Sequence, residues 1–196
     1  MFLLSRPDDK SIQRFLDDRV LDTFSYTEIG ATRESAPSGY NIDHNRIKLG
    51  VGLEAFDHAK TAMRNWKMFD MPWVQLISSK TPIKVGEIVA ILVSHFGFYT
   101  LNAARIVYVL DEPGDVQRFG FAYGTLTEHG EIGEERFSVE YDTLTGEVWY
   151  DLYAFSRPAS LLAKIGYPLS RNLQKTFARD SKNAMQKAVF DASTLA

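Results

Sequence analysis

Residues 118–158 read RFGFAYGTLTEHGEIGEERFSVEYDTLTGEVWYDLYAFSRP. Aromatic and β-branched residues occur here in three runs separated by turn residues, which predicts three consecutive antiparallel strands. From Ala159 onward the apolar residues recur at helical spacing instead. Polar residues, among them Glu135, Asp151 and Arg157, lie between the aromatic ones. The stretch therefore predicts a curved sheet closed by a C-terminal helix, with a partly polar interior that could hold a ligand.

Outward from this stretch, the chain shows one order of elements: strand, helix, six strands, helix. The connections between the later strands are too short for crossover helices, which predicts an antiparallel meander. The predicted strands are residues 41–50, 73–78, 86–94, 103–110, 118–126, 134–142 and 147–156. The predicted helices are residues 8–21, residues 53–69 as one helix or a broken pair, and most of residues 168–190, with Gly166 and Pro168 marking a kink.

This order predicts an α+β fold with a single main domain. Residues 1–40 are interpreted as an N-terminal extension, a short helix and a loop, and residues 41–196 as the domain that carries the sheet. Under the register described next, Val148, Tyr150 and Leu152 face outward and need cover. We therefore expect the extension to pack on the outer face of the sheet or beside the helices; if these residues were bare, a homodimer interface would explain them better.

The hairpin of the last two strands decides which side chains face inward. In the strand 134–142, Phe137 and Val139 belong to the apolar set that alternates with polar residues. The connection 143–146 fits a type I turn closed by a left-handed glycine bulge at Gly146, which would turn Asp151 inward. Without that bulge, Tyr150 and Leu152 point inward and Asp151 is a surface residue. The bulged register is the one we predict.

An inward carboxylate must be paired, hydrogen-bonded or protonated, because burying an isolated charge is costly. Arg105 and Arg157 are the candidate partners of Asp151. In a structural role, Asp151 would form an ion pair that fixes the strands. In a functional role, it would be a polar anchor in a ligand cavity. The predicted cavity takes polar orientation from Asp151, Glu135 and Arg105 and apolar lining from Trp66, Tyr108, Phe121, Tyr123, Phe137, Trp149, Tyr153 and Phe177.

Composition limits the classes of function. The chain has 196 residues, a net charge of −3 and no cysteine, which excludes disulfides and thiolate chemistry and gives no electrostatic reason to bind nucleic acid. No signal peptide or membrane span is apparent, so we expect a soluble cytoplasmic protein.

No motif names a reaction, a phosphate loop or a hydrolase elbow. His129 lies beside glycines and glutamates in a turn and is interpreted as solvated rather than as a metal ligand. We therefore predict neither a metal nor a cofactor. Arg171, Lys175 and Arg179 form a basic stripe at helical spacing, interpreted as a solvated face, with a phosphate-bearing or acidic partner as the alternative.

Several phrases of the sequence together resemble a family of unknown function. They are residues 26–32 (YTEIGAT), 56–66 (FDHAKTAMRNW), 119–126 (FGFAYGTL), 133–137 (GEERF) and 155–158 (FSRP). The family is the domain of unknown function family 1990, also called uncharacterised protein family 0548. The resemblance covers about residues 3–190 and brings no activity or catalytic residues with it.

The element order is also similar to the helix-grip fold of START and Bet v 1-like proteins. This second resemblance is one of topology and implies a seven-stranded sheet around a long C-terminal helix, with a cavity that often binds lipids, sterols or polyketides. We expect a small, largely apolar ligand of lipid, polyketide or isoprenoid type. The alternatives are an enzyme on the same scaffold (a cyclase, hydratase or lyase with Asp151 or Glu135 as general acid/base) and an interaction module with a filled core.

Overall fold

The structure is a computed structural model that describes residues 1–77, 82–95, 97–127, 130–159 and 167–195. The predicted turn with His129, the residue Gly166 in the predicted kink and the end of the predicted strand at residue 78 lie outside these ranges. The strands are β1 (Phe2–Leu3), β2 (Asn41–Val51), β3 (Val74–Leu76), β4 (Ile88–His95), β5 (Phe98–Glu112), β6 (Val116–Thr125), β7 (Glu131–Asp142) and β8 (Glu147–Pro158); the helices are α1 (Asp9–Asp18), α2 (Leu53–Arg64) and α3 (Tyr167–Leu195).

Seven strands form the body of one antiparallel sheet, in the order β2-β8-β7-β6-β5-β4-β3. Five of the six neighbouring pairs join strands that are consecutive in sequence, β3 to β8, which is the predicted meander. The sixth pair is β2 with β8. The curved sheet faces α3, as the sequence predicts. The two-residue strand β1 was not predicted; it adds to β5 through Phe2 opposite Thr100.

The helices begin and end where their local chemistry requires. α1 starts after Asp8, whose carboxylate accepts a hydrogen bond of 2.7 Å from the Ser11 amide, an N-cap that satisfies one of the free donors of the first turn. α2 stops at Arg64, and a 3₁₀ turn follows at Lys67–Phe69. Between them Trp66 has a positive φ of 55°. The predicted alternative of a broken helix pair is therefore the one observed.

The hairpin between β7 and β8 corrects the predicted register. Tyr141 lies opposite Val148 and Phe137 opposite Leu152, so the pairing has no bulge. Gly146 does adopt a positive φ of 72°, but it closes a four-residue loop. The Asp142 carboxylate accepts hydrogen bonds of 2.9 Å from the amides of Leu144 and Thr145, which fixes all four loop residues in the turn.

As a result Val148, Tyr150 and Leu152, predicted to face outward, are buried in the main core. The side chains of alternate residues, Trp149, Asp151 and Tyr153, lie on the outer face instead. The main core fills much of the space between the sheet, α2 and α3. The hydroxyl groups of Tyr150 and Ser181 are 2.8 Å apart and link β8 to α3 inside it.

The N-terminal residues pack on the outer face of the sheet, as expected from the sequence. Glu134 of β7 is buried there and accepts hydrogen bonds from the Tyr26 hydroxyl and the Gly30 amide, both at 2.7 Å, and from the Thr32 amide at 3.0 Å. The Tyr153 hydroxyl accepts a further bond from the Ala36 amide. The division of the chain at residue 40 remains a prediction, since β1 also contributes to the sheet.

Candidate functional site

A cavity of about 860 Å³ lies between the inner face of the sheet and α3. Its apolar wall comes from β4, β8 and α3, and exposed Phe2 and Ile42 line its outer part. Helix α3 thus leaves part of the concavity open. The side chains that form the apolar wall include Ile91, Val93, Leu152, Ala154, Leu173, Phe177 and Ala178.

Glu135 is the most distinctive polar group of this wall. It lies on β7 with the same alternation as Phe137, so its side chain points inward, where it lines the cavity. The Tyr123 hydroxyl, on the neighbouring strand β6, donates a hydrogen bond of 2.7 Å to Glu135 Oε2. Burial raises the pKa of Glu135 to about 7, against the lowering effect of the Tyr123 hydrogen bond.

Tyr123 keeps its hydroxyl proton at neutral pH and can donate it in a hydrogen bond to the Glu135 carboxylate. Burial, reinforced by the neighbouring charge of Glu135, raises the pKa of Tyr123 well above its usual value. The phenol therefore holds one carboxyl oxygen of Glu135 in a fixed direction. In the described part of the chain, the other oxygen, Oε1, has no hydrogen-bond donor.

Further polar groups line the same cavity. Asp43 of β2 accepts two hydrogen bonds from Arg171 of α3, one of them 2.7 Å long, between Arg171 Nη2 and Asp43 Oδ1. Glu131 of β7 accepts a hydrogen bond from the side-chain amide of Gln174, and burial raises the pKa of Glu131. The cavity is therefore apolar along most of its wall and acidic around Glu135.

Aromatic rings close the space beside the cavity. Trp66 meets Phe121 edge-on at 4.9 Å between ring centroids, and Phe121 stacks on Phe137 at 5.2 Å. Phe177 of α3 lies 5.6 Å from Phe69. These rings form a solid layer between α2, the sheet and α3, and they give the cavity a rigid side.

The structure brings together six of the eleven residues predicted to form the site. Tyr123, Glu135 and Phe177 line the cavity. Trp66, Phe121 and Phe137 belong to the adjoining aromatic layer and do not line it. The participation of any of these residues in ligand binding remains a prediction.

The other five predicted site residues lie on the outer face, and their predicted orientation is wrong. For Trp149, Asp151 and Tyr153 the cause is the unbulged register of β8. For Tyr108 it is an irregularity at residue 107, between Ile106 and Tyr108, which turns Tyr108 outward to a hydroxyl contact of 2.7 Å with Thr32. Arg105 also points outward.

Neither predicted partner of Asp151 is its actual partner. Arg105 donates to the backbone oxygens of Arg19, Val20 and Asp22, where α1 ends. This is a favourable place for a cation, because the last carbonyls of a helix are otherwise unsatisfied. Arg157 stacks on the Tyr40 ring at 4.5 Å.

Without the bulge, Asp151 was expected to be a surface residue. It does lie on the outer face of the sheet, but it is buried there. Its Oδ1 atom is 2.9 Å from Arg136 Nη2, and its Oδ2 atom is 2.6 Å from His44 Nε2. Arg46 lies 3.9 Å away. The structural interpretation, an ion pair that fixes strands, therefore describes Asp151.

Sequence reasoning missed Asp43 and Glu131, which line the cavity, and Arg171, which binds Asp43. Glu131 has the same alternation as Glu135 along β7, which is a usable signal, but the strand was predicted to start only at residue 134. Arg171 was interpreted as part of a solvated stripe; its pairing with Asp43 depends on how α3 lies against β2. No local pattern in the sequence reports that contact.

The fold and the site together define a helix-grip protein with an internal, mainly apolar cavity. The chain belongs to the family described as Domain of unknown function (DUF1990), which matches residues 25–184. It is 38% identical to a UPF0548 protein of Dictyostelium discoideum over 96% of both chains. It is 36% identical to a UPF0548 protein of Arabidopsis thaliana, over 87% of this chain and 84% of that one.

Solved structures share the fold at low sequence identity. A hypothetical protein from Helicobacter pylori superposes with a TM-score of 0.50 and 10% identity, over 85% of this chain and 96% of that one. Norcoclaurine synthase from Thalictrum flavum gives a TM-score of 0.48 with 13% identity, over 81% of this chain and 99% of that one. At these values neither likeness carries an argument about function. Among the described helices, none is long and apolar enough to span a membrane.

Proposed function

We propose that this protein binds a small, largely apolar molecule in the cavity between the sheet and α3. The observation that carries the proposal is the open volume of about 860 Å³ in the concavity of the sheet. Ligand pockets in proteins typically measure about 300–1,000 Å³ and combine apolar walls with a few polar groups. This cavity has that composition, with aliphatic and aromatic walls and the Glu135 carboxyl among them.

The open volume also favours binding over an interaction module with a filled core. A helix packed tightly into the sheet would leave no room for a ligand, and its contact with the sheet would then serve stability alone. Here Phe177 and Ala178 of α3 lie at the cavity wall. Lipid, polyketide and isoprenoid skeletons are all of a suitable size and polarity.

The test is binding of a neutral fluorescent apolar dye, N-phenyl-1-naphthylamine, to the purified protein. Ala154 lies on the cavity wall opposite Glu135 in the β7–β8 pairing. We expect saturable binding that Ala154→Phe weakens by narrowing the cavity beside Glu135 and that Ala154→Ser, the matched control, retains. Equal binding by a folded Ala154→Phe protein would place the dye away from this wall and contradict the proposal. Native mass spectrometry of fresh protein tests whether a molecule co-purifies.

Catalysis on the same scaffold is the second candidate, and one observation favours it. A carboxyl with a pKa of about 7, as burial gives Glu135, can both accept and donate a proton near neutral pH. A cyclase, hydratase or lyase would use such a group as general acid/base, with Tyr123 holding it in place. Asp151, the other acid/base candidate from the sequence, lies on the outer face and is not part of this proposal.

The two candidates are separated by the fate of a co-purified molecule. The molecule is extracted and incubated with the wild-type protein and with Glu135→Gln, and its mass and chromatographic retention time are followed. A change of either quantity that occurs only with the wild-type protein indicates catalysis by Glu135. An unchanged molecule that is bound again indicates a carrier or receptor.

A further inference from the structure

The carboxyl groups that line the cavity differ in whether a positively charged side chain contacts them. Glu131 and Glu135 are four residues apart on β7, so both side chains lie on its inner face, and Gly133 between them adds no side chain. Asp43 of β2 lines the same cavity. Arg171 is held by Asp43 through two hydrogen bonds.

Within the described part of the chain, no positively charged side chain balances the charge of Glu135 as Arg171 balances that of Asp43. The hydrogen bond to Glu135 comes from the neutral Tyr123 hydroxyl, and no Lys, Arg or His of that part forms an ion pair with it. The neighbouring charges that act on it, Glu131 and Asp43, are both negative. An ionised carboxylate in an apolar wall is costly without a partner, so a positive group that enters the cavity would be stabilised next to Glu135.

We propose that the ligand of this cavity is an amphipathic amine, with an apolar body and one protonated nitrogen that contacts the free Oε1 atom of Glu135. The inference rests on the proposed function and names its ligand class. Tyr123 holds Oε2, which leaves Oε1, among the described residues, as the oxygen available to a ligand. The apolar body lies along the wall formed by β4, β8 and α3.

The main competitor is an amphipathic carboxylate such as a fatty acid. Lys175 of α3 lines the outer part of the cavity, where it is exposed, and could hold an anionic head. That ligand would share the cavity with the carboxyl groups of Glu131 and Glu135, which repel it when they are ionised, whereas the charge of Asp43 is balanced by Arg171. The charge distribution therefore favours the amine.

Ligand affinity should depend on pH in a direction set by Glu135. The titratable groups that act on it or on which it acts are Tyr123 of β6, Tyr150 of β8, Glu131 on its own strand and Asp43 of β2. Since the pKa of Glu135 is about 7, the carboxylate form becomes dominant between pH 6 and pH 8. An alkylammonium ion keeps its charge across that range, so its binding strengthens as the pH rises, while an alcohol shows no such gain.

The experiment compares three ligands with one apolar body, namely decylamine, 1-decanol and decanoate. Binding is measured at pH 6 and pH 8 by calorimetry and by tryptophan fluorescence, to which Trp73 at the cavity wall contributes. We expect the wild-type protein to bind decylamine roughly 10-fold more tightly than decanol at pH 8, the size of a charge-assisted hydrogen bond. Glu135→Gln should lose this preference, and Glu112→Gln, which removes a carboxyl of β5 that does not line the cavity, should keep it.

Each outcome has a distinct meaning. Equal affinity of the wild-type protein for decylamine and decanol, or tightest binding of decanoate, overturns the amine proposal while leaving apolar ligand binding in place. A preference retained by Glu135→Gln overturns the role of Glu135. No binding of any of the three, together with no dye binding, overturns the proposed function itself. If Glu135→Gln does not fold, the comparison of ligands and pH values on the wild-type protein still decides the question.

Discussion

Ser138 of β7 and Asp151 of β8 lie opposite each other in the sheet. This pairing directs Asp151 to the outer face, where Arg136 and His44 contact it, and directs Tyr150 and Leu152 into the core. The inward carboxyl groups of the hairpin are therefore those of Glu131 and Glu135 on β7, and Asp151 is not among them. The strand register thus decides that the carboxyl group of Asp151 lies outside the cavity.

Replacing Asp151 by Asn should lower stability without affecting ligand binding. The change removes the charge that compensates Arg136, whose side chain is 17% exposed. Losing one partner of a buried ion pair typically costs about 3–5 kcal/mol, and we expect the low end here because the Thr32 carbonyl still accepts from Arg136. Urea unfolding and dye titration measure the two effects. Asp111→Asn, at an exposed position on β5, is the control, and weaker dye binding by folded Asp151→Asn would contradict the assignment.

Glu135 should make the protein less stable as the pH rises from about 4.5 to about 7. The folded protein keeps the Glu135 proton up to about pH 7, whereas the unfolded chain releases it near the ordinary value of 4.5. Between these values the folded state binds more protons, so the free energy of unfolding decreases with pH, by at most about 3 kcal/mol.

Glu135→Gln removes this contribution. Its stability relative to the wild-type protein should therefore increase between pH 4.5 and pH 8, as measured by denaturant unfolding at both values. Glu112→Gln controls for the loss of one negative charge. A constant difference between Glu135→Gln and the wild type across this range would mean that the carboxyl is not buried in its protonated form.

Tyr26→Phe should loosen the N-terminal residues from the sheet. The Tyr26 hydroxyl donates to the buried Glu134 carboxylate, and a hydrogen bond to a charged group contributes about 1.5–3 kcal/mol. We expect a loss of stability in that range and faster proteolysis within residues 1–40. Tyr40→Phe is the matched control, because the Tyr40 hydroxyl donates to Glu28 at a site that is less buried than Glu134. An equal loss of stability in the two variants would show that the hydrogen bond to Glu134 stabilises the protein no more than the one to Glu28.

Gly146→Ala should destabilise the β7–β8 hairpin. Gly146 has a φ of 72°, a conformation that costs a residue with a side chain about 1–2 kcal/mol. Its new Cβ would also lie 3.4 Å from the Val51 side chain. Gly130→Ala is the comparison, since no atom lies within 4 Å of a Cβ at Gly130 and its φ is not positive. Thermal unfolding measures the stability of both variants. The same decrease in melting temperature for each would contradict this account of the loop.

The positions of the strands and helices follow from the sequence because each depends on local properties. Alternating apolar residues define β7 and β8, and the short connections between strands leave the antiparallel meander as the available topology. Apolar residues at helical spacing define α3. Three of the cavity residues, Tyr123, Glu135 and Phe177, were found from the same patterns.

The face of the sheet on which the other predicted site residues lie could not be predicted in the same way. Gly146 fits both a bulged turn and a four-residue loop; the hydrogen bonds of the Asp142 carboxylate are part of the second arrangement. The irregularity at residue 107 turns Tyr108 outward, and no residue type in β5 marks it. A change of one residue in register exchanges the two faces of a strand, so a small local difference reverses every assignment that depends on it.

The sequence by itself determined the α+β architecture, the order of its elements and the presence of acidic side chains among aromatic ones. The tertiary structure alone decided which carboxyl reaches the cavity, which arginines compensate the others, and how much space α3 leaves open. Local patterns depend on neighbouring residues along the chain, whereas ion pairs such as Asp43 with Arg171 join positions 128 residues apart. Such contacts are set by the packing of the whole molecule, and the chemistry of this cavity consists largely of them.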